Sequence, residues 1–458
     1  MTDAAPGTGA TVEAAPAVRS VCVFGLWHLG TVAAACLAES GLEVRGVDLD
    51  PDVIRDLKAG RPPIFEPGLE ALIDRQLAAG RLLFTASPRE ALPGADAVLI
   101  AYDTPVDGDD RSDLTPILAA VDEIGRWADP GALVVVSSQV PVGTCEALEA
   151  RLRERTGAAG LGVAYCPENL NLGRAIDTFL SPDRLVIGAD THAAAARTRS
   201  LFAGVRAPAL VMSRRSAEMT KHALNSFLAT SVSFVNEIAD LCDVTGADVV
   251  DVVRGLKSDS RIGPRAFLAP GLGFAGGTLA RDIQVLRAQG EARGMATLLL
   301  DATLAVNRSR VALVERRLAR EYGDLADVEV AILGLTYKPG TSTLRRSIAL
   351  DIGQRLAAAG CPVRGFDPMV RPGAPEVPFR ACADAYAAAD GADALVIATE
   401  WPEFRDLDFV RIHAAMRRPL VIDCKNHLDP ESLAALGFHY AGTGRPVRKP
   451  GATAERGC

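Results

Sequence analysis

The chain has 458 residues, 48% hydrophobic and 23% charged, enough apolar sequence for two or three separately cored, soluble domains. A net charge of -8 argues against the basic face of a nucleic-acid binder, and no apolar run reaches the roughly 18 residues of a membrane span. The nine cysteines are scattered, without a C-x-x-C pair or a Cys/His cluster at metal spacing, so reduced thiols in a cytoplasmic protein are expected and a metal site is not.

Residues 1–20, rich in Ala, Pro, Gly and Thr, lack the basic start and apolar block of a signal peptide and read as a disordered tail. Val21-Cys22-Val23-Phe24-Gly25 follows as an apolar strand ending in glycine. A helix is predicted over 31–40 and a second strand over 43–47, ending at Asp48. Strand, glycine turn, helix, strand and acid in this order describe a dinucleotide-binding βαβ unit. Gly25-Leu26-Trp27-His28-Leu29-Gly30 occupies the fingerprint, with Trp27 where a glycine normally lets a pyrophosphate approach. Asp48 would accept from the adenosine ribose hydroxyls and repel a 2′-phosphate, which favours NAD over NADP. His28 reads as structural. Strands over 97–101, 133–137 and 161–166 alternate with helices over 114–127 and 145–156, the pattern of a parallel sheet covered on both faces.

From about 216 to 255 the chain turns helical, with Phe227, Val232, Val235 and Ile238 at helix-like spacings. A strand pattern returns over 328–334, followed by a helix over 347–359 and a strand over 363–366 ending at Asp367, an echo of the first half. The predicted fold is α/β: two Rossmann-like, doubly wound parallel-sheet domains joined by a central helical region. The boundaries are 21–212 for the NAD-binding domain, 213–325 for the central helical region, and 326–441 for the C-terminal domain. Residues 442–458 read as a second disordered tail.

Gly273-Phe274-Ala275-Gly276-Gly277-Thr278-Leu279-Ala280-Arg281-Asp282 resembles the G-F-G-G-S-C-F-x-K-D signature of the UDP-glucose/GDP-mannose dehydrogenases. Cys166-Pro167-Glu168-Asn169-Leu170-Asn171-Leu172-Gly173 is similar to the family's N-P-E-F-L-R-E-G, and Glu218 to Asn225 to its E-x-x-K-x-x-x-N. Glu66-Pro67-Gly68-Leu69, Thr104-Pro105, Gly334-Leu335-Thr336-Tyr337-Lys338-Pro339 and Thr399-Glu400-Trp401-Pro402-Glu403-Phe404 extend the resemblance over nearly all of the chain from Val21 to about Asp429. It implies NAD at Gly25, Trp27, His28, Leu29, Gly30, Asp48, Thr104 and Pro105. It implies catalysis by Lys221 and Asn225, which stabilise oxyanion character at the sugar C6, and by Asp282. Glu168 is implied as general base and water-positioning group. Substrate contacts are implied at Leu170, Arg261, Phe267, Gly271, Gly273, Phe274 and Gly276. Lys338 and Arg345 lie on the uridine side, which tilts the nucleotide toward UDP. The family's arginine at position 261 reaches across a dimer interface, so a homodimer built on the central helices is expected.

Two departures concern one half-reaction. The family's catalytic cysteine falls on Thr278, and a threonine hydroxyl needs a dedicated base where a thiolate is accessible near neutral pH. Gln139 stands where the family has a threonine that helps position water. The expectation is therefore reversible hydride transfer on a nucleotide sugar, a UDP-hexose at C6, without the thioester step to a uronic acid. Three alternatives stay open: a redox-neutral epimerase using bound NAD, a non-catalytic nucleotide-sugar binding protein, and a full UDP-glucose 6-dehydrogenase.

Overall fold

A computed structural model describes residues 17–104, 113–156, 161–168, 170–274 and 277–450. Within them the chain forms two compact units, one running through Lys221 and one from His222 onward.

The first unit holds an eight-stranded sheet. Its strands are β1 (Ser20–Phe24), β2 (Glu43–Val47), β3 (Leu82–Thr85), β4 (Ala97–Ile100), β5 (Leu133–Val136), β6 (Gly162–Tyr165), β7 (Leu185–Gly188) and β8 (Ala209–Met212). The order is β3-β2-β1-β4-β5-β6-β7-β8. β1 to β6 are parallel, as predicted; β7 pairs with β6 antiparallel and carries β8 parallel to itself. Alternate residues of β1 face opposite cores: Val21 and Val23 pack with Leu99 and Val135, whereas Cys22 and Phe24 pack with Val98 and Ile100. Strands buried on both faces need a continuous apolar run, and β1, β4 and β5 supply one.

The second unit carries a six-stranded, all-parallel sheet of β9 (Val330–Leu333), β10 (Val363–Phe366), β11 (Arg380–Ala381), β12 (Ala394–Ile397), β13 (Leu420–Asp423) and β14 (His439–Gly442). Its order, β11-β10-β9-β12-β13-β14, repeats the order of the first six strands of the other sheet. The echo reaches the turns. Gly25 (φ +87°) donates its N–H to Val47 O at 2.9 Å, and Gly334 (φ +89°) donates to Phe366 O at 2.8 Å. Leu26 N–H then bonds Asp48 Oδ2, and Leu335 N–H bonds Asp367 Oδ2, both at 2.8 Å. Asp367 is the more enclosed, because Thr336 N–H, the Thr336 hydroxyl and the Trp401 indole N–H converge on the same oxygen. Thr399 Oγ1 bonds Thr336 O at 2.6 Å, so Thr399 and Trp401 have a structural role, as the sequence reading holds.

The helices Arg214–Thr245, Val249–Ser258, Thr278–Glu291 and Leu298–Ser309 lie between the two sheets in the chain. On the first, Val232 and Val235 are buried, but Phe227 is 69% exposed. It belongs to an outward stripe with Phe234, Leu241 and Val244, so apolar residues at helix-like spacings do not all share one face here. At the C-terminal end Thr443 is fully buried and Arg448 bridges Tyr440, which carries ordered chain past the predicted onset of the tail.

Candidate active site

In the first unit the cofactor residues cluster at the carboxyl end of β1. A methyl group on Gly30 would lie 1.7 Å from Gly25 O, and one on Gly25 would meet the Tyr102 ring at 2.7 Å, so both positions exclude a side chain. Helix His28–Glu39 begins there, earlier than the predicted 31, with Trp27 at its N-cap. Trp27 is 48% exposed and its indole is no part of the core. Leu29 N–H, at the helix start, already meets a carboxylate oxygen of Asp103 at 3.2 Å, the type of contact a diphosphate oxygen would make. Asp48 holds the β1 turn through Oδ2 and Asp50 N–H through Oδ1, which leaves lone pairs for ribose hydroxyls. These residues fit NAD. His28 is half-buried against Glu66 (3.1 Å), in keeping with a structural role, while Glu66 also accepts the Gly173 and Ala175 N–H groups. Thr104 donates its hydroxyl to Gln139 O at 2.8 Å, both residues being buried. Pro105 lies outside the described residues.

The same unit brings Glu168 and Lys221 together. The Lys221 ammonium is buried and donates to Glu168 O at 2.5 Å, with Glu168 Oε1 at 3.4 Å. Glu168 Oε2 accepts the Leu170 N–H. Glu218, one turn before His222, takes the Gly143 and Cys145 N–H groups and so fixes the turn beside Gln139. Cys166, two residues before Glu168, could stand in for a missing thiol nucleophile only if ionised. Burial pushes it up to about 12, and all eight described cysteines are buried.

In the second unit the glycine-rich loop is pinned from two helices and the turn after them. Asn236 Oδ1 takes the Gly271 N–H at 2.7 Å, and the fully buried Arg310 donates to Gly271 O at 3.1 Å. Asn307 bonds both the N–H and the carbonyl of Phe274. Gly273 (φ +87°) sits so close that a β-carbon would lie 2.3 Å from Asn307 Oδ1. Gly276 lies outside the described residues. Helix Thr278–Glu291 then starts at Thr278, which is exposed, and one turn on places Asp282, which is fully buried. Asp282 is held at both oxygens, by Asn225 Nδ2 and by His222 Nδ1, the latter at 2.7 Å.

His222 escapes sequence reasoning, since a lone histidine beside a catalytic lysine carries no signal until Asp282, 60 residues away, is found against it. Arg346 is also new: its guanidinium comes within 3.8 Å of where a Gly277 β-carbon would stand. Arg345, the predicted residue, is exposed, and Lys338 stacks on Tyr337 at 5.7 Å. Arg261 is 87% exposed and paired with Asp259, and Phe267 is exposed, so neither is gathered with Asp282. Among the described residues no group of His, Cys, Asp and Glu is placed to hold a metal ion.

Three family profiles match: the NAD binding domain of the UDP-glucose/GDP-mannose dehydrogenase family over residues 19–206, its central domain over 215–309 and its UDP binding domain over 331–430. A UDP-glucose 6-dehydrogenase of Pseudomonas aeruginosa is 41% identical over 447 residues, covering 93% of this chain and 97% of that protein. One from Rhizobium meliloti is 40% identical, with 93% and 99% covered. Among solved structures, a UDP-glucose dehydrogenase from Pyrobaculum islandicum superposes with a TM-score of 0.84 at 34% identity, covering 96% of this chain and all of that one.

Proposed function

Because the chain belongs to the UDP-glucose/GDP-mannose dehydrogenase family, an NAD-dependent nucleotide-sugar dehydrogenase family, we propose that it oxidises a UDP-hexose at C6, with UDP-glucose the first substrate to test and the acid as product. The observation that carries this is identity above 40% with a named UDP-glucose 6-dehydrogenase over almost the whole length. Bound NAD supplies the hydride acceptor, held at Gly25, Gly30 and Asp48. Lys221 brings a buried ammonium and Asn225 an amide donor to the oxyanion that develops at C6, and Asp282 receives a proton. Glu168 both fixes the Lys221 ammonium and positions water.

Residues 21–212 are assigned to the cofactor, 213–325 to dimerisation and the active-site loop, and 326–441 to the nucleotide, with Lys338 and Arg345 on its phosphates. The exposed apolar stripe of helix Arg214–Thr245, seven residues apart at Phe227, Phe234 and Leu241, supports a homodimer through that helix. Unpaired, buried cysteines suit a cytoplasmic protein.

A second reading, oxidation that stops at the aldehyde, is favoured by Thr278 and Gln139 in place of the family's residues. Reduced nicotinamide per UDP-glucose consumed separates the two. Two equivalents are expected; one supports the second reading, and none from any UDP- or GDP-hexose sinks both in favour of epimerisation or binding alone.

A further inference from the structure

A thiolate adds to an aldehyde unaided, whereas water or a hydroxyl needs a base to take its proton. The chain has Thr278 where the family has a thiol, and one helical turn along, at Asp282, a buried carboxylate bonded to a buried histidine on another helix. Residues four apart on a helix have β-carbons about 5–6 Å apart, so Asp282 lies within a side chain's reach of position 278. Its oxygens are bonded by His222 and Asn225, which fixes its orientation. The charged neighbours along the two helices are Glu218 and Lys221 on one and Arg281 on the other, and Asp301 on the adjoining helix is taken up by Arg287. Glu218 and Lys221 have partners of their own.

We infer that in a thiol-free second oxidation His222 shares the proton taken up by Asp282, the base that lets water, in place of a cysteine, add to the aldehyde. The inference rests on the dehydrogenase reading above. The water oxygen bonds to the aldehyde carbon and its proton passes to the Asp282–His222 pair. The resulting hydrate anion loses its C–H hydride to the nicotinamide oxidant and leaves as the carboxylic acid. One aldehyde, one water and one oxidised nicotinamide thus give one acid, one reduced nicotinamide and one proton held by the pair. Thr278 forms no ester in this sequence.

The test compares the full-length protein with His222→Gln, which keeps a hydrogen-bond donor but cannot take up a proton, and with His222→Phe. With UDP-glucose, His222→Gln is expected to keep the first equivalent within about fivefold while the second slows at least tenfold in kcat, with little change in KM. The 6-aldehyde then becomes trappable by hydroxylamine, and the acid limb of kcat changes shape. An independent readout is the imidazole NMR signal of His222 in the nucleotide-free protein, assigned among six histidines by the Gln variant, whose chemical shift at a fixed pH should move in Asp282→Asn. Equal second-step rates and pH profiles in wild type and His222→Gln overturn the inference alone, as does an NMR response indifferent to Asp282. One equivalent from wild type, with aldehyde accumulating, also overturns it but leaves nucleotide-sugar oxidation standing. No turnover by wild type on any nucleotide hexose removes the dehydrogenase reading and this inference together.

Discussion

Replacing Lys221 by alanine separates a catalytic role from a packing role. The ammonium is buried and makes a 2.5 Å bond to Glu168 O and a 3.4 Å contact to Glu168 Oε1. Its removal strands a carbonyl and part of a carboxylate. A hydrogen bond to a charged group contributes about 1.5–3 kcal/mol, and Glu168 retains some water contact, so a loss of about 2 kcal/mol is expected. That corresponds to roughly 4–8 °C in the melting temperature of a unit of this size. Loss of one preorganised donor to a developing oxyanion lowers kcat about 10²–10³-fold. Initial rates with UDP-glucose at saturating NAD, together with thermal melts, measure both. Lys221→Arg should restore most of the stability but little of the rate, because a planar guanidinium does not replace a compact ammonium. A variant melting several degrees lower with unchanged kcat would refute the catalytic argument and leave Lys221 as a strut for the backbone at Glu168.

Gly30→Ala should weaken NAD at least tenfold by calorimetry, because its methyl overlaps Gly25 O in the turn that would carry the diphosphate; an unchanged Kd refutes that geometry. Thr278→Ala should keep two reduced nicotinamides per sugar and kcat within about tenfold of wild type. An acyl adduct on Thr278, trapped and seen by mass spectrometry, contradicts this. Phe234→Glu places a charge on the exposed apolar stripe and, if the proposed homodimer forms through it, should shift the mass toward monomer in light scattering; an unaltered mass refutes an interface at this stripe. Burial of Asp393 works against its ionisation, but Arg417 and the Glu329 N–H outweigh it and hold the carboxyl below the ordinary range. The stabilisation is therefore present above the ordinary aspartate value and disappears as pH falls through the depressed one. Asp393→Asn should cost about 1–2 kcal/mol at pH 7 in urea melts, with the gap closing below about pH 4.

The fold was legible at several strands buried on both faces, though β7, β12 and β13, just as deeply buried, were not predicted. Val21 to Phe24 and Leu133 to Val136 advertise themselves by unbroken apolar runs, and the glycine turns mark where they end. β8 was missed because it is poorly buried and short, and β11 because it is two residues long. Lys221, Asn225 and Asp282 were identified by motif, and the structure brings Asn225 to Asp282. Glu66 was visible only as part of a resemblance, since its partners Gly173 and Ala175 lie over 100 residues away. Phe227 shows the opposite limit: periodicity finds a helix face but does not say which partner covers it.

The Trp401 indole has a consequence for how the two halves divide their work. By donating to Asp367 Oδ2 beside the Leu335 and Thr336 N–H groups, it occupies an oxygen of the acid that stands in the second sheet where Asp48 stands in the first. Asp367 thus keeps less acceptor capacity for a ribose hydroxyl than Asp48 does.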